Sequence, residues 1–351
     1  MNSALTLPRG LPDLLLPWYE ENKRELPWRQ DQQPYHVWLS EIMLQQTRVE
    51  AVKPYYQRFL ATLPEIRDLA SCDDETLLKL WEGLGYYSRA RNLRKAAKMI
   101  ITEYGGIFPC TYEKILKLPG IGEYTAGAIA SICFDQRTPA VDGNVLRVIT
   151  RLSAYYGDIL DQKVKREISR ALADIYPEHN SGRFTQALME LGAVVCIPRG
   201  KPECANCPLI NLCNAYQQGI WEQLPVKRPK KQRTVQELTV FLLSVGGKLA
   251  LRKRKEKGLL AGLWEFPNTL GALSAQEAIG QAEAWHCAPV DIQQCVHRSH
   301  CFTHIQWEMT GYVIQCREKA ECFSWFDEEE LIANVSVPSA FRQFLSVFST
   351  E

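Results

Sequence analysis

LPGIGEYTAGAI, residues 118–129, reads as a short helix, a turn closed by Gly120 and Gly122, and the start of a second helix. Glycines in such a turn leave backbone N–H groups free at a helix N-terminus, where the peptide dipoles also favour an anion. A hairpin of this kind can hold one phosphate of a nucleic-acid backbone without reading its sequence. A Gly-x-Gly turn alone is weak evidence, so its neighbours matter. Twenty residues beyond Gly122 lies Asp142, in PAVDGNVLRV. Taken alone, an Asp before Gly-Asn at a helix start is an N-cap.

Working outward, the flanking periodicity is helical. YHVWLSEIMLQQTRVEAVKPYYQRFL (35–60) carries apolar residues three and four apart, with a break expected at Pro54. DDETLLKLWEGL (73–84) and SRARNLRKAAKMIITEYGG (88–106) repeat the pattern, the second stopping at a Gly pair. Beyond the hairpin come NVLRVITRLSAYYG, KVKREISRALADIYP and RFTQALMELGAVVC. Many helices on short connections predict a compact all-α bundle. It closes on VVCIPRGKPECANCPLINLC, where Cys196, Cys204, Cys207 and Cys213 form a C-x7-C-x2-C-x5-C array. Four soft thiolates in so short a loop suit a tetrahedral zinc or the corners of an iron–sulfur cube. The other eight cysteines have no framework spacing and read as buried reduced thiols.

PVKRPKKQR (225–233) changes the character of the chain; it is basic, polar and Pro-containing, as a linker should be. Alternating β-branched segments follow (VQELTVFLLSV, GGKLALRKR, HIQWEMTGYVIQC), with helical stretches at SAQEAIGQAEAW and SAFRQFLSVF, so the second domain is α+β. A formal net charge of +1 does not by itself point to nucleic acid, although basic residues cluster at 88–98 and 225–233. LLL at 14–16 is bracketed by Pro12 and Pro17 with no basic segment before it, which is unlike a signal peptide. The longest apolar stretch, near 238–245, is too short to span a bilayer. No membrane partner and a cytoplasmic location are expected, with a monomer as the default.

Together, hairpin, Asp142 and cysteine array resemble the helix-hairpin-helix (endonuclease III-like) DNA glycosylases. That resemblance implies a [4Fe–4S] cluster on Cys196, Cys204, Cys207 and Cys213. Seven residues instead of the usual six separate the first two cysteines. LPWRQDQQPYHVWLSEIMLQQTRVEAV (26–52) and WEGLGYYSRARNL (81–93) narrow the likeness to the MutY-type adenine glycosylases, and it covers most of residues 18–225. Strand-cutting members use a Lys in the second hairpin helix as an imine-forming nucleophile. Tyr124 stands at that position, which implies a monofunctional glycosylase. By the same resemblance Glu41 is the acid that protonates adenine at N7 and later helps activate water. On residues alone it would read as a solvated helix carboxylate, although burial on its apolar helix would raise its pKa. Asp142 matches the carboxylate that steadies an oxocarbenium-like sugar, with Asn144 and Tyr124 in support. Gln46 and Tyr86, with Leu44 beside them, match side chains that wedge into the duplex while adenine leaves the stack. Arg29, Arg89 and Arg91 are candidate phosphate contacts, each equally open to a structural role, with Gly120 and Gly122 holding backbone.

GLLAGLWEFPN (258–268) resembles the opening of a Nudix fold, but no Glu-rich R-E-x-x-E-E box follows to ligate magnesium. In the family such a domain recognises 8-oxoguanine through a Phe-Ser-His loop; this chain has Phe302, Thr303 and His304. The expectation is therefore a multidomain chain, an all-α helix-hairpin-helix domain with an iron–sulfur loop followed by an α+β Nudix-like domain. Its boundaries are set at 1–225 (a six-helix part at 28–134, and a cluster-bearing part from 1–27 plus 135–225), a linker at 226–235, and 236–351. The partner implied is double-stranded DNA holding adenine opposite 8-oxoguanine or guanine, in base excision repair, with the protein on the nucleoid when bound. Rival readings are a pyrimidine-specific relative, a non-enzymatic cluster protein and an active Nudix hydrolase.

Overall fold

The computed structural model describes residues 5–229 and 232–348; Lys230 and Lys231 of the expected linker, and the extreme termini of the expected domains, lie outside them. The helices of the first two thirds are α1 (Leu11–Asn22), α2 (Pro34–Leu44), α3 (Val49–Thr62), α4 (Ile66–Ser71), α5 (Asp74–Trp81), α6 (Ser88–Tyr104), α7 (Tyr112–Ile115), α8 (Glu123–Phe134), α9 (Gly143–Ser153), α10 (Gln162–Ala173), α11 (Ser181–Val194) and α12 (Asn214–Gln217). None of the described helices is long and apolar enough to cross a membrane.

The chain divides into a helical unit, residues 1–71 with 91–229, and a sheet unit, residues 72–90 with 230–351. Residues 72–90 therefore group with the sheet, whereas the sequence reading kept them inside the helical domain. Their ties are side-chain and backbone bonds to residues more than 200 positions away, which no local pattern announces.

In the helical unit Leu11, Leu15 and Tyr19 of α1 bury one face into a core with Val145, Leu146, Val148, Ile149 and Leu152 of α9, Ile168 and Leu172 of α10, and Phe184, Leu188 and Leu191 of α11. The N-terminal segment thus packs on the region 145–209 that follows the hairpin. Pro54 was expected to break the long apolar segment; instead it sits inside α3, and the break falls at Gln45–Arg48. Pro54 and Glu50 are both exposed, so the Glu50 carbonyl that proline leaves without its helical donor faces solvent. The true interruption is at Gln46, whose φ of 60° no helix accommodates. Residues 226–229 stay with the helical unit: the Ile159 N–H donates to the Val226 carbonyl (3.1 Å), and Arg228 pairs with Asp158 at 3.4 Å.

The sheet unit is built on β1 (Thr234–Val245), β2 (Lys248–Lys253), β3 (Trp264–Glu265), β4 (Asn268–Leu270), β5 (Pro289–Cys301), β6 (Ile305–Cys316) and β7 (Ser324–Phe326), with α13 (Ala275–Ala284), α14 (Glu328–Asn334) and α15 (Ser339–Arg342). The order is β3-β2-β1-β6-β5, with β1 and β6 parallel, β4 on β1 and β7 on β2. β1 starts at Thr234, inside the expected linker, because the Thr234 N–H already pairs with the His304 carbonyl (3.0 Å). The two faces of the sheet carry separate apolar cores. One gathers Leu238, Trp307, Met309, Val337, Phe341 and Phe344; the other gathers Phe241, Ile314, Cys287, Cys316 and Ala278. α14, which no apolar periodicity signalled, is started by Asp327 in a reciprocal cap with Glu330.

Candidate active site

Seven of the expected site residues come together in the helical unit. A cleft of about 1240 Å³ is lined by Glu41 and Leu44 of α2, Gln46, Tyr124 of α8, and Asp142 and Asn144 at the start of α9, with Trp28, Arg29 and Glu190 on its walls. Glu41 is only 7% exposed. Burial raises its pKa to about 7; a hydrogen bond from Tyr124 works against that rise, Asp142 adds to it, and Arg29 opposes it. The Tyr124 hydroxyl donates to Glu41 Oε2 at 2.5 Å. Burial, then the charges of Glu41 and Asp142, push the Tyr124 pKa well above its ordinary value, so it remains a neutral donor.

Asp142 is the N-cap of α9, accepting from the Val145 N–H at 2.8 Å and from Asn144 Nδ2 at 2.8 Å. The bland reading of this residue is therefore correct as far as it goes, and it coexists with a place in the cleft. Burial raises the Asp142 pKa, while its bonds from Val145 and Asn144 and the nearby Arg147 favour the anion. The contrast with Glu41 is chemical: Asp142 has N–H donors gathered on a carboxylate, Glu41 has one hydroxyl. Arg147 holds Asn144 from behind, donating to Asn144 Oδ1 (2.9 Å), the Gly192 carbonyl (2.6 Å) and the Cys196 carbonyl (2.7 Å). Gly192 is required at this crossing, since a Cβ there would lie 2.6 Å from Asn144 Cβ.

Sequence reasoning missed the far wall. Glu190 of α11 is fully buried and accepts from Arg24 Nε (2.6 Å), Arg24 Nη2 (3.0 Å) and Arg29 Nη2 (2.8 Å). Burial pushes its pKa up, but the two guanidiniums outweigh this and hold it below the usual range. Arg29, expected on a phosphate, is instead committed to this buried pair and lines the cleft. Arg89 likewise departs from the phosphate expectation. It is 9% exposed, its Nη2 donates to the carbonyls of Leu84 (3.0 Å) and Gly85 (3.2 Å), and its guanidinium lies over the Trp81 and Tyr86 rings. Burial lowers its pKa to about 10, so it stays cationic while holding a loop. Arg91, next to it on α6, is half-buried.

In the hairpin the two glycines do different jobs. Gly120 has φ +79°, and a Cβ there would meet Asn92 Cβ at 2.6 Å. Gly122 is the N-cap of α8 with an ordinary φ of −100°, no side-chain cap and open space around its Cβ position. The first turn of α8 therefore presents backbone N–H groups with room for an anion.

Tyr86, Phe302, Thr303 and His304 lie in the sheet unit. Tyr86 is 47% exposed with φ 49°, a left-handed conformation rare for a bulky residue. Its hydroxyl lies 3.2 Å from Thr303 Oγ1. Phe302, Thr303 and His304 form the tight β5–β6 turn, closed by the Phe302 N–H on the Ile305 carbonyl (2.8 Å). Phe302 is tucked edge-on to Trp307 (4.7 Å), while Thr303 and His304 are exposed. α13, where a Nudix box would stand, has only Glu277 and Glu283, and Glu277 is occupied in capping Ser274.

The four array cysteines surround a small cavity walled by Val195, Pro202, Ile210, Tyr216 and Trp221. Burial, with the neighbouring cysteine sulfurs, raises the thiol pKa values of Cys204, Cys207 and Cys213, to about 12 for Cys207. Clustered thiols of this kind are a donor set that a bound cation would deprotonate. Among the described residues no three His, Cys, Asp or Glu side chains are gathered closely enough for a single metal ion. Arg151 Nη1 lies 3.3 Å from Cys196 Sγ. The extra residue between Cys196 and Cys204 falls in a loop that turns at Gly200, φ +76°.

Residues 39–174 match the HhH-GPD superfamily of base excision DNA repair proteins, and residues 239–347 match the NUDIX domain. Fold and cleft thus define a helix-hairpin-helix base excision protein with a Nudix-like second domain. The adenine DNA glycosylase of Mus musculus is 35% identical over 95% of this chain and 77% of its own length. That of Buchnera aphidicola subsp. Schizaphis graminum is 39% identical over 73% of this chain and 74% of its own, and that of Homo sapiens 33% over 95% and 73%. The chain belongs to the adenine DNA glycosylase family. Among solved structures, a thermostable thymine-DNA glycosylase superposes with a TM-score of 0.52 at 28% identity, over 59% of this chain and 94% of that one. A trapped endonuclease III–DNA covalent intermediate shares the fold, with TM-score 0.52 at 24% identity over 61% of this chain and 100% of that one.

Proposed function

We propose that this chain removes adenine mispaired with 8-oxoguanine or guanine in duplex DNA, by hydrolysis and without cutting the strand. The observation that carries the reading is the pairing of Glu41 and Asp142 in one cleft, Glu41 held by a single hydroxyl and Asp142 by N–H donors. Glu41, with a pKa near 7, gives its proton to adenine N7, and the C1′–N9 bonding electrons leave with the base. Asp142, whose anionic form the Val145 and Asn144 donors favour against burial, steadies the sugar cation. The Glu41 carboxylate then takes a proton from the water that adds to C1′, leaving an abasic site and free adenine. Tyr124 orients Glu41 through its hydroxyl and cannot form an imine, which supports a monofunctional reaction.

The first turn of α8, beyond Gly120 and Gly122, holds one DNA phosphate, and Arg91 of α6 is a further candidate phosphate contact. Gln46, with Leu44 beside it, and Tyr86 wedge into the duplex; the left-handed backbone at both Gln46 and Tyr86 is strain of the kind found at working loops. Thr303 and His304 meet the base opposite adenine, with Phe302 anchoring their turn. Cys196, Cys204, Cys207 and Cys213 hold a [4Fe–4S] cluster, which supplies a rigid cross-link to the loop and no step of bond breaking. Arg147 and Arg151 of α9 brace the Cys196 end of that loop.

Incubation with a duplex holding adenine opposite 8-oxoguanine, then alkali, tests the reaction. A strand break at the adenine after alkali is expected, and its absence would sink the proposal. Breakage without alkali would overturn the monofunctional reading. Iron and acid-labile sulfide in equal amounts in brown purified protein are expected of the cluster; zinc in their place would remove it.

A further inference from the structure

The string WEGLGYY contains a carboxylate that the proposed chemistry does not use. Glu82 ends α5 and is 7% exposed. Its Oε1 accepts from the Val337 N–H at 3.0 Å. Its Oε2 meets Arg342 Nη2 at 3.2 Å and Lys79 Nζ at 2.9 Å. Lys79 also donates to the Val335 carbonyl at 3.2 Å. Val335, Val337, Ala340 and Phe341 all belong to the apolar core under the sheet, so these bonds attach α5 to a rigid part of the Nudix-like domain. Four residues further on, Tyr86 meets Thr303 at the tip of the β5–β6 turn.

Between the two attachments the chain has little freedom. Gly83 and Gly85 have φ of 99° and 69°. The Gly85 carbonyl accepts from both Trp81 Nε1 (3.1 Å) and Arg89 Nη2 (3.2 Å). A loop pinned at one end transmits its placement to the other. The hydroxyl contact at Tyr86 is half exposed and single, so it cannot by itself hold the loop; the buried Glu82 cluster can.

We infer that Glu82 is a positioning residue for lesion reading: with Arg342 and Lys79 it anchors residues 81–87 to the Nudix-like domain and thereby sets Tyr86 against the Thr303 turn. It acts on which base opposite adenine is preferred, not on bond cleavage. This rests on the proposed reading of 8-oxoguanine by Thr303 and His304.

The test uses the full-length, cluster-loaded protein and three variants, Glu82→Ala, Glu82→Gln and Arg342→Ala. Binding is measured to duplexes carrying a 2′-fluorinated adenosine that resists excision, opposite 8-oxoguanine or guanine. Single-turnover excision at saturating enzyme is measured on the matching cleavable duplexes. Glu82→Ala and Arg342→Ala are expected to lower the 8-oxoguanine-to-guanine binding ratio about fivefold or more, with the saturating rate opposite guanine within about twofold of the parent. Glu82→Gln, which can still accept from Val337, should lose less. The Arg342 side chain is 46% exposed, so its truncation keeps the test valid if Glu82→Ala fails to fold. An unchanged ratio in Arg342→Ala and Glu82→Gln would overturn the anchor, as would a fall in saturating rate with the ratio intact. A parent protein with no preference for 8-oxoguanine would instead overturn the lesion reading beneath it.

Discussion

Two tyrosines mark two ways of using a hydroxyl in this molecule. Tyr124 is half-buried and donates to a buried carboxylate, Glu41, at 2.5 Å; Tyr86 is 47% exposed and meets another hydroxyl, Thr303, at 3.2 Å. In the cleft, removal from water shifts proton affinities, and Glu41 reaches a pKa of about 7. At the turn, water remains a competitor, and a contact there distinguishes partners by modest increments. On the proposed reading the cleft changes bonds, and the turn compares the bases opposite adenine.

The largest effect should come from removing the proton itself. Glu41→Gln keeps the shape of the side chain and is expected to slow single-turnover excision about 10³-fold, roughly 4 kcal/mol, while the lesion duplex still binds. Normal turnover would break the comparison at its stronger end. Asp142→Asn comes next: asparagine also caps a helix, so thermal stability should stay within about 0.5 kcal/mol while excision falls about 10²-fold. Equal losses of stability and rate would mean that Asp142 is a cap only. The pH profile of the chemical step sharpens the point. The required form of Glu41 is protonated, so the rate should be flat below pH about 7 and fall about tenfold per unit above it. A profile that rises through pH 7 would assign the acid elsewhere. Smallest is Thr303→Ala, expected to lower preference for 8-oxoguanine about three- to tenfold and leave the saturating rate unchanged. A loss of rate there would erase the distinction between the two regions.

The hairpin, the helices around it and the cysteine array were legible because each is a local pattern: glycine spacing, 3.6-residue periodicity, short ligand separations. Glu41, Tyr124, Asp142 and Asn144 were legible only through resemblance, since each has an ordinary local reading, and Asp142 indeed is a helix cap. For Arg29 and Arg89 the sequence left a phosphate contact and a structural role equally open, because a charge in a sequence carries no sign of its burial. Both guanidiniums turn inward, one to Glu190 and one to backbone carbonyls. The break in the α2–α3 segment was misplaced because proline is a louder signal than a left-handed glutamine.

Sequence alone determined the order of elements, the donor set of the cysteine loop and the absence of a Nudix box, all of which depend on residues close together along the chain. Tertiary structure decided what burial and long-range contact decide: the raised pKa of Glu41, the Glu190 wall, and the grouping of residues 72–90 with the sheet through Glu82. Proton affinity depends on how much water the fold removes and which charges it brings near. Those quantities exist only once residues a hundred or more positions apart have met.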